Sequence, residues 1–200
     1  MEFTRRAEGA PRKLGILAGT FHPPTRAHVA LAHAGLGVVE EVLFVLPRAF
    51  PHKSYEGPSL AERLTILEAV LRDEPRCSLA VTEGGLFIDI ARECRAAYTP
   101  APELYFLCGR DAAERILHWD YGRAGAILEQ LREFQLLVAR REGEFQPPPE
   151  LRDRIHPLPM EEDWVSATDV RHRIRAGQPW EHLVPEASIP LVRQFYGPGG

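Results

Sequence analysis

KLGILAGTFHPPTRAH, from Lys13 to His28, decides the reading of the fold. Lys13 to Ala18 is a short apolar run, as expected for a strand buried on both faces. It stops at Gly19. A loop stiffened by Pro23 and Pro24 follows, and Arg26 to Leu36 then carries Val29, Leu31, Ala32 and Leu36 at helical spacing. In an open α/β sheet, a strand leaving through such a loop into a helix delivers that loop to the carboxyl end of the sheet, where ligands sit. Gly19 lets the backbone approach a ligand, and His28 falls in the first helical turn, where free amides and the helix dipole attract anions. The plainer alternative is a loop that only caps its helix. The loop holds neither GK[ST] nor GxGxxG, so it is neither a Walker loop nor the dinucleotide fingerprint.

The same alternation continues outward. EVLFVLP (Glu41 to Pro47), CSLAV (77–81), ELYFLCG (103–109), FQLLVAR (134–140) and IHPL (155–158) read as strands. Helical patterns occupy Ser59 to Leu71, 87–97, 111–119, 124–132, Ala167 to Ala176 and Glu186 to Tyr196. Ser59 stands three residues before Glu62, a capping-box spacing. The expected architecture is a single doubly wound, Rossmann-like α/β domain over 13–197, with a mostly parallel sheet and a helical C-terminal end. A flexible arm is expected over 1–12.

Composition narrows the classes. The chain has 200 residues, 44% hydrophobic and 26% charged, ordinary values for a globular domain. Lysines and arginines number 24 against 28 acidic residues, a net charge of −4, so a broad nucleic-acid or anionic-membrane surface is not expected. No apolar run approaches the roughly 18 residues of a membrane span, and the polar N-terminus lacks a signal-peptide core, which points to the cytoplasm. Cys77, Cys94 and Cys108 form no CxxC pair and read as reduced, packed thiols. Self-association is left open, as a possible homo-oligomer.

A second segment carries chemistry. In VSATDVR (Val165 to Arg171), Ser166 is a suitable N-cap with Asp169 three residues on, and Arg171 and Arg173 project from the first helical turns. Cations there are poor dipole partners unless an anion is bound; otherwise they are solvated arginines on a capped helix.

Gly19-Thr20-Phe21-His22-Pro23-Pro24-Thr25-Arg26-Ala27-His28 resembles the GxFxPxHxGH signature of the nucleotidyltransferase superfamily. His28 matches the second histidine and Thr25 occupies the first position, as in the TxGH of phosphopantetheine adenylyltransferases. His22 stands where the family usually has Asp, Asn or Ser, and Ala27 replaces a glycine. Val165 to Arg171 is similar to the ISSTxIR motif of the nicotinate- and nicotinamide-nucleotide adenylyltransferases. Phe50-Pro51-His52-Lys53 resembles their PPHK segment, and Lys53 is one of two lysines in the chain. Arg63 falls on their RLxM arginine, and Gly109-Arg110-Asp111 with Trp119 on GxD…W. Where nicotinate-nucleotide enzymes carry GxSYTxDT, this chain has Leu86, Phe87 and Ile88 in place of the Tyr-Thr pair, and only Asp89 agrees.

The resemblance, strongest to the bacterial nicotinate-nucleotide adenylyltransferases, implies transfer of AMP from ATP to nicotinate mononucleotide with release of pyrophosphate. It implies that Gly19, Thr20, Phe21, Gly109 and Asp111 line the nucleotide, that His28 and Thr25 meet its α/β-phosphates, and that Ser166, Thr168 and Arg171 meet the β/γ side. Lys53, Asp89 and Trp119 would hold the pyridine mononucleotide. Mg²⁺ is expected to accompany ATP mainly through water, with no dedicated protein metal site. Alternatives that keep the fold are another phosphorylated acceptor, such as nicotinamide mononucleotide, or a nucleotide binder that has lost transfer activity. Read on their own, Lys53 is equally a solvated loop lysine, Asp111 a helix cap and Trp119 a core residue.

Overall fold

The apolar runs settle side by side in one seven-stranded sheet. It comprises β1 (Glu2–Arg5), β2 (Lys13–Ala18), β3 (Glu41–Pro47), β4 (Cys77–Thr82), β5 (Glu103–Gly109), β6 (Gln135–Ala139) and β7 (Ile155–Leu158), in the spatial order β1-β4-β3-β2-β5-β6-β7. The computed structural model describes residues 1–49, 56–118, 122, 125–139, 147–160 and 165–197. All pairings are parallel except β1 with β4. The helices are α1 (Arg26–Gly35), α2 (Leu60–Val70), α3 (Phe87–Ala97), α4 (Arg110–His118), α5 (Ala126–Gln130), α6 (Ala167–Arg175) and α7 (Ile189–Tyr196).

Successive strand residues feed opposite layers, which is why the runs carry no polar face. Leu14, Ile16, Leu43, Val45 and Phe106 pack on one side, with Ile90 and Cys94 of α3. Leu17, Val42, Phe44, Leu46 and Leu107 pack on the other, with Leu31 of α1 and Leu67 of α2. A smaller cluster joins α2 (Ile66), α6 (Val170) and α7 (Val192) through Trp180 and Val184. It fixes the C-terminal helices against the main layer. The three cysteines are buried and unbridged.

Two expectations change. The arm over 1–12 is not loose throughout: Glu2–Arg5 adds an antiparallel edge strand to β4. Phe3 packs edge-on against Tyr98, the Arg6 guanidinium lies over both rings, and Arg5 donates to the Cys77 carbonyl. One half-buried aromatic among charged residues is too short a pattern to read as a strand. Near the other end, Glu186–Ser188 is a 3₁₀ turn and the α-helix begins at Ile189. Pro190 has no N–H to continue an α-helical ladder back to Glu186. Ser59 and Glu62 do form the reciprocal capping box of α2.

Strand order reverses between β2 and β5, since β3 and β4 extend the sheet on one side and β6 and β7 on the other. A crevice outside the carboxyl ends of β2 and β5 is the expected ligand position for such a sheet.

Candidate active site

Both signature segments meet at that crevice. The loop after β2 delivers Gly19 to Thr25, and α1 starts immediately. Phe21 adopts φ 46°, a left-handed conformation uncommon for a bulky residue. Its ring is 1% exposed, packed on Phe44 at 5.5 Å and edge-on to His28 at 5.2 Å. The Phe21 side chain is therefore a support from below, leaving main chain as its means of meeting a ligand.

The His28 ring is held from behind. Its Nδ1 accepts from the Thr25 main-chain N–H at 2.9 Å. An amide can only donate, so Nδ1 is unprotonated and the ring hydrogen sits on Nε2. Burial lowers the His28 pKa to about 4, keeping the imidazole neutral at pH 7. What remains is one N–H donor on a ring that is partly exposed.

Thr25 lies elsewhere than expected. It is fully buried, with its hydroxyl 2.8 Å from His28 Nδ1 and 3.3 Å from the Val165 carbonyl, two acceptors that share its single hydrogen. Both partners lie inside the protein, so the hydroxyl sits behind His28 instead of facing the crevice. Ala27, in place of the signature's glycine, also faces inward. It is 1% exposed, so its methyl group fills core space and does not intrude on the crevice.

The contact between Thr25 and Val165 spans 140 positions of chain. A second bridge spans 149: the Arg171 guanidinium donates to the His22 carbonyl at 2.6 Å, and also to Thr168 Oγ1 at 3.1 Å. Ser166 caps α6, its Oγ accepting from the Thr168 N–H. Asp169 does not complete a capping box. Its carboxylate pairs with Arg173 at 3.0 Å, and Arg173 also reaches the Pro179 carbonyl, so Arg173 serves its own helix. From α2, buried Arg63 donates to the Thr20 carbonyl at 2.9 Å. Two arginines from separate helices thus hold carbonyls of one loop.

His22 is the residue whose side-chain role sequence reading missed. Its Nδ1 lies 2.9 Å from the Tyr196 hydroxyl, a partner 174 positions away that no local pattern signals. Burial first, and then Arg171, Arg63 and Arg175, lower its pKa to about 4.

Across the switch point, Gly109 ends β5 and α4 begins at once with Arg110. Asp111 is therefore inside the first turn, not its cap. Gly109 and Asp111 line a cleft of about 560 Å³ that runs along α4 to His118. Beside it, burial pushes the Cys108 thiol up to about 12, so the sulfur there is a neutral packing group. Asp89 sits in the first turn of α3, against Gly84. Phe87, in place of the missing Tyr-Thr pair, stacks on Phe106 with centroids 4.1 Å apart. Lys53 and Trp119 lie outside the described residues. Among the described residues no group of three or more His, Cys, Asp or Glu side chains is placed to hold a metal, and no helix is long and apolar enough to cross a membrane.

The assembled groups are a neutral imidazole N–H, hydroxyls, guanidinium groups and the N-termini of α1 and α6. Such groups hold phosphate oxygens and stabilise charge on them.

The profile of the cytidylyltransferase-like family matches residues 16–173. A Moorella thermoacetica protein named "Probable nicotinate-nucleotide adenylyltransferase" is 32% identical, over 92% of this chain and 90% of its own. One of the same name from Thermus thermophilus is 31% identical, over 88% and 93%. The nicotinic acid mononucleotide adenylyltransferase of Plasmodium falciparum, solved with NaAD, superposes with a TM-score of 0.71 at 16% identity, covering 92% of this chain and 95% of that one.

Proposed function

The chain belongs to the cytidylyltransferase-like family, and on that premise we propose that it moves AMP from ATP to nicotinate mononucleotide, the adenylyl-transfer step of NAD biosynthesis. An oxygen of the acceptor's phosphate attacks the α-phosphorus of ATP in line. The bond from that phosphorus to the β-phosphate oxygen breaks, and pyrophosphate leaves with the electron pair. No covalent enzyme intermediate is required, so the protein's task is positioning and charge stabilisation.

His28 Nε2–H donates to the α/β-phosphate oxygens, and Thr25 acts through it by fixing the ring. Arg171, Thr168 and Ser166, with the α6 amides, take the β/γ side that becomes pyrophosphate. Main chain of Gly19, Thr20 and Phe21 lines the nucleotide at the end of β2, with Gly109 and Asp111 beyond it at the end of β5. The acceptor lies toward Asp89, with Lys53 and Trp119 completing its site. Bound with ATP, Mg²⁺ would supply neutralisation of phosphate charge alongside His28 and Arg171, and the reaction belongs to the cytoplasm. The observation that carries this reading is the double junction of the two motifs, Thr25 to Val165 and Arg171 to His22.

The test is pyrophosphate release with Mg²⁺, crossing ATP and CTP against nicotinate mononucleotide, nicotinamide mononucleotide and phosphopantetheine. Turnover with ATP and nicotinate mononucleotide is expected to dominate. In that assay His28→Ala should lower kcat by roughly 10²–10³-fold, the usual loss for one transition-state donor. A loss below tenfold removes His28 from the central role, and turnover with a different pair reassigns the substrates.

A further inference from the structure

His22 is 9% exposed, and three separated elements converge on it. Tyr196 of α7 meets its Nδ1 at 2.9 Å, with the two rings 5.2 Å apart. On another side lies the turn that leads into α2. A Cβ on Gly57 would sit 2.4 Å from His22 Cε1, and the Gly57 φ of +139° favours glycine in any case. The imidazole also shares a hydrogen bond with the Glu56 main chain. The third element is α6, whose Arg171 rests on the His22 carbonyl. One residue thus carries both the packed imidazole and the carbonyl that accepts from the Arg171 guanidinium.

We propose that His22 is a positioning residue for the nucleotide's pyrophosphate end, held between Gly57 and Tyr196 so that its carbonyl presents Arg171 to the crevice. The inference rests on the assignment of Arg171 to the ATP phosphates. It accounts for a histidine at a site where the surrounding charges are wrong for a cation. Arg171 and Arg175 face it from α6 and Arg63 from α2, while Tyr196 and the Glu56 main chain supply neutral partners. The ring must stay uncharged for Nδ1 to accept from the tyrosine hydroxyl, and burial among arginines keeps it so. A neutral side chain of this shape ties three elements together without cancelling the positive field that an anionic ligand needs.

The experiment is calorimetric titration of the intact protein with Mg²⁺ and α,β-methylene-ATP. It compares wild type, Tyr196→Phe, His22→Ala and the double variant, alongside the KM for nicotinate mononucleotide and the melting temperature. Tyr196→Phe keeps the aromatic ring and removes only the hydroxyl, so it protects the test should His22→Ala fold poorly. Each single variant is expected to weaken nucleotide binding roughly threefold to tenfold, the range of one hydrogen bond. The acceptor KM should stay put, and the double variant should be no worse than His22→Ala alone, as for residues acting through one contact. Unchanged nucleotide affinity with a lowered melting temperature overturns the proposal, as do equal losses for both substrates. Failure of the wild type to bind the analogue removes the nucleotide reading itself, before any variant is compared.

Discussion

The atoms nearest to a Cβ built on Gly19 are those of the Phe21 ring, at 3.6 to 3.8 Å, ordinary contacts, and its backbone does not lie in the left-handed region. Among the described residues no close contact or backbone strain asks for glycine at this position, in contrast to Gly57. The demand comes from what sits outside the end of β2. Gly19→Ala should therefore fold as well as wild type, or up to about 1 kcal/mol better through a stiffer unfolded chain. MgATP affinity should fall roughly tenfold to hundredfold, as for a methyl group forced into occupied space. Denaturation and nucleotide titration on one preparation check both halves, and unimpaired binding would show that the ligand keeps its distance. At this scale the sequence was informative where a residue's type is unusual for its place, as with His28 in a first turn or Arg171 near a helix start. It could not say that the Thr25 hydroxyl turns inward, nor that Tyr196 reaches His22, because both follow from packing between distant segments.

The first turn of α1 shows how an element serves the site. His28 reaches back to the Thr25 N–H, so the residue that satisfies an orphan helix donor is also the one aimed at the ligand. Ala27 stands between them with its methyl group in the core. Ala27→Gly is thus expected to cost stability, about 1–2 kcal/mol from lost burial and helix propensity, without improving turnover. Thermal unfolding beside kcat/KM measures it, and a tenfold gain in turnover would mean that the methyl group obstructs the nucleotide after all. Elements with a strong local signal were legible: six apolar strands, the Ser59–Glu62 box and the stop of α6 at Gly177, which takes φ +64°. β1 was not, because its stability comes from pairing with β4 and from the cover of Phe3 and Arg6 on Tyr98. Asp169 leaves the Ser166 cap for a related reason: an arginine one turn on competes better for its carboxylate than the backbone amides do.

Across the whole molecule, net charge is −4, yet Arg63, Arg171 and Arg175 gather around His22 at the switch point. A fold that must hold two phosphorylated substrates concentrates positive charge locally, and its buried histidines must then stay neutral. That has a stability consequence. His22 and His28 titrate near pH 4 in the folded protein against an ordinary 6.5. Between those values the unfolded chain binds the additional protons, so stability rises with pH through the window and is fully present above 6.5. Each histidine contributes a slope of at most about 1.4 kcal/mol per pH unit. Urea denaturation at pH 7.0, 6.0 and 5.0 should show wild type losing stability steadily on acidification. His22→Asn, which keeps a polar side chain but does not titrate, should lose it on a visibly shallower slope. Parallel curves would mean that His22 takes up its proton in the folded protein as readily as in the unfolded chain, and that the arginines around it are screened by solvent.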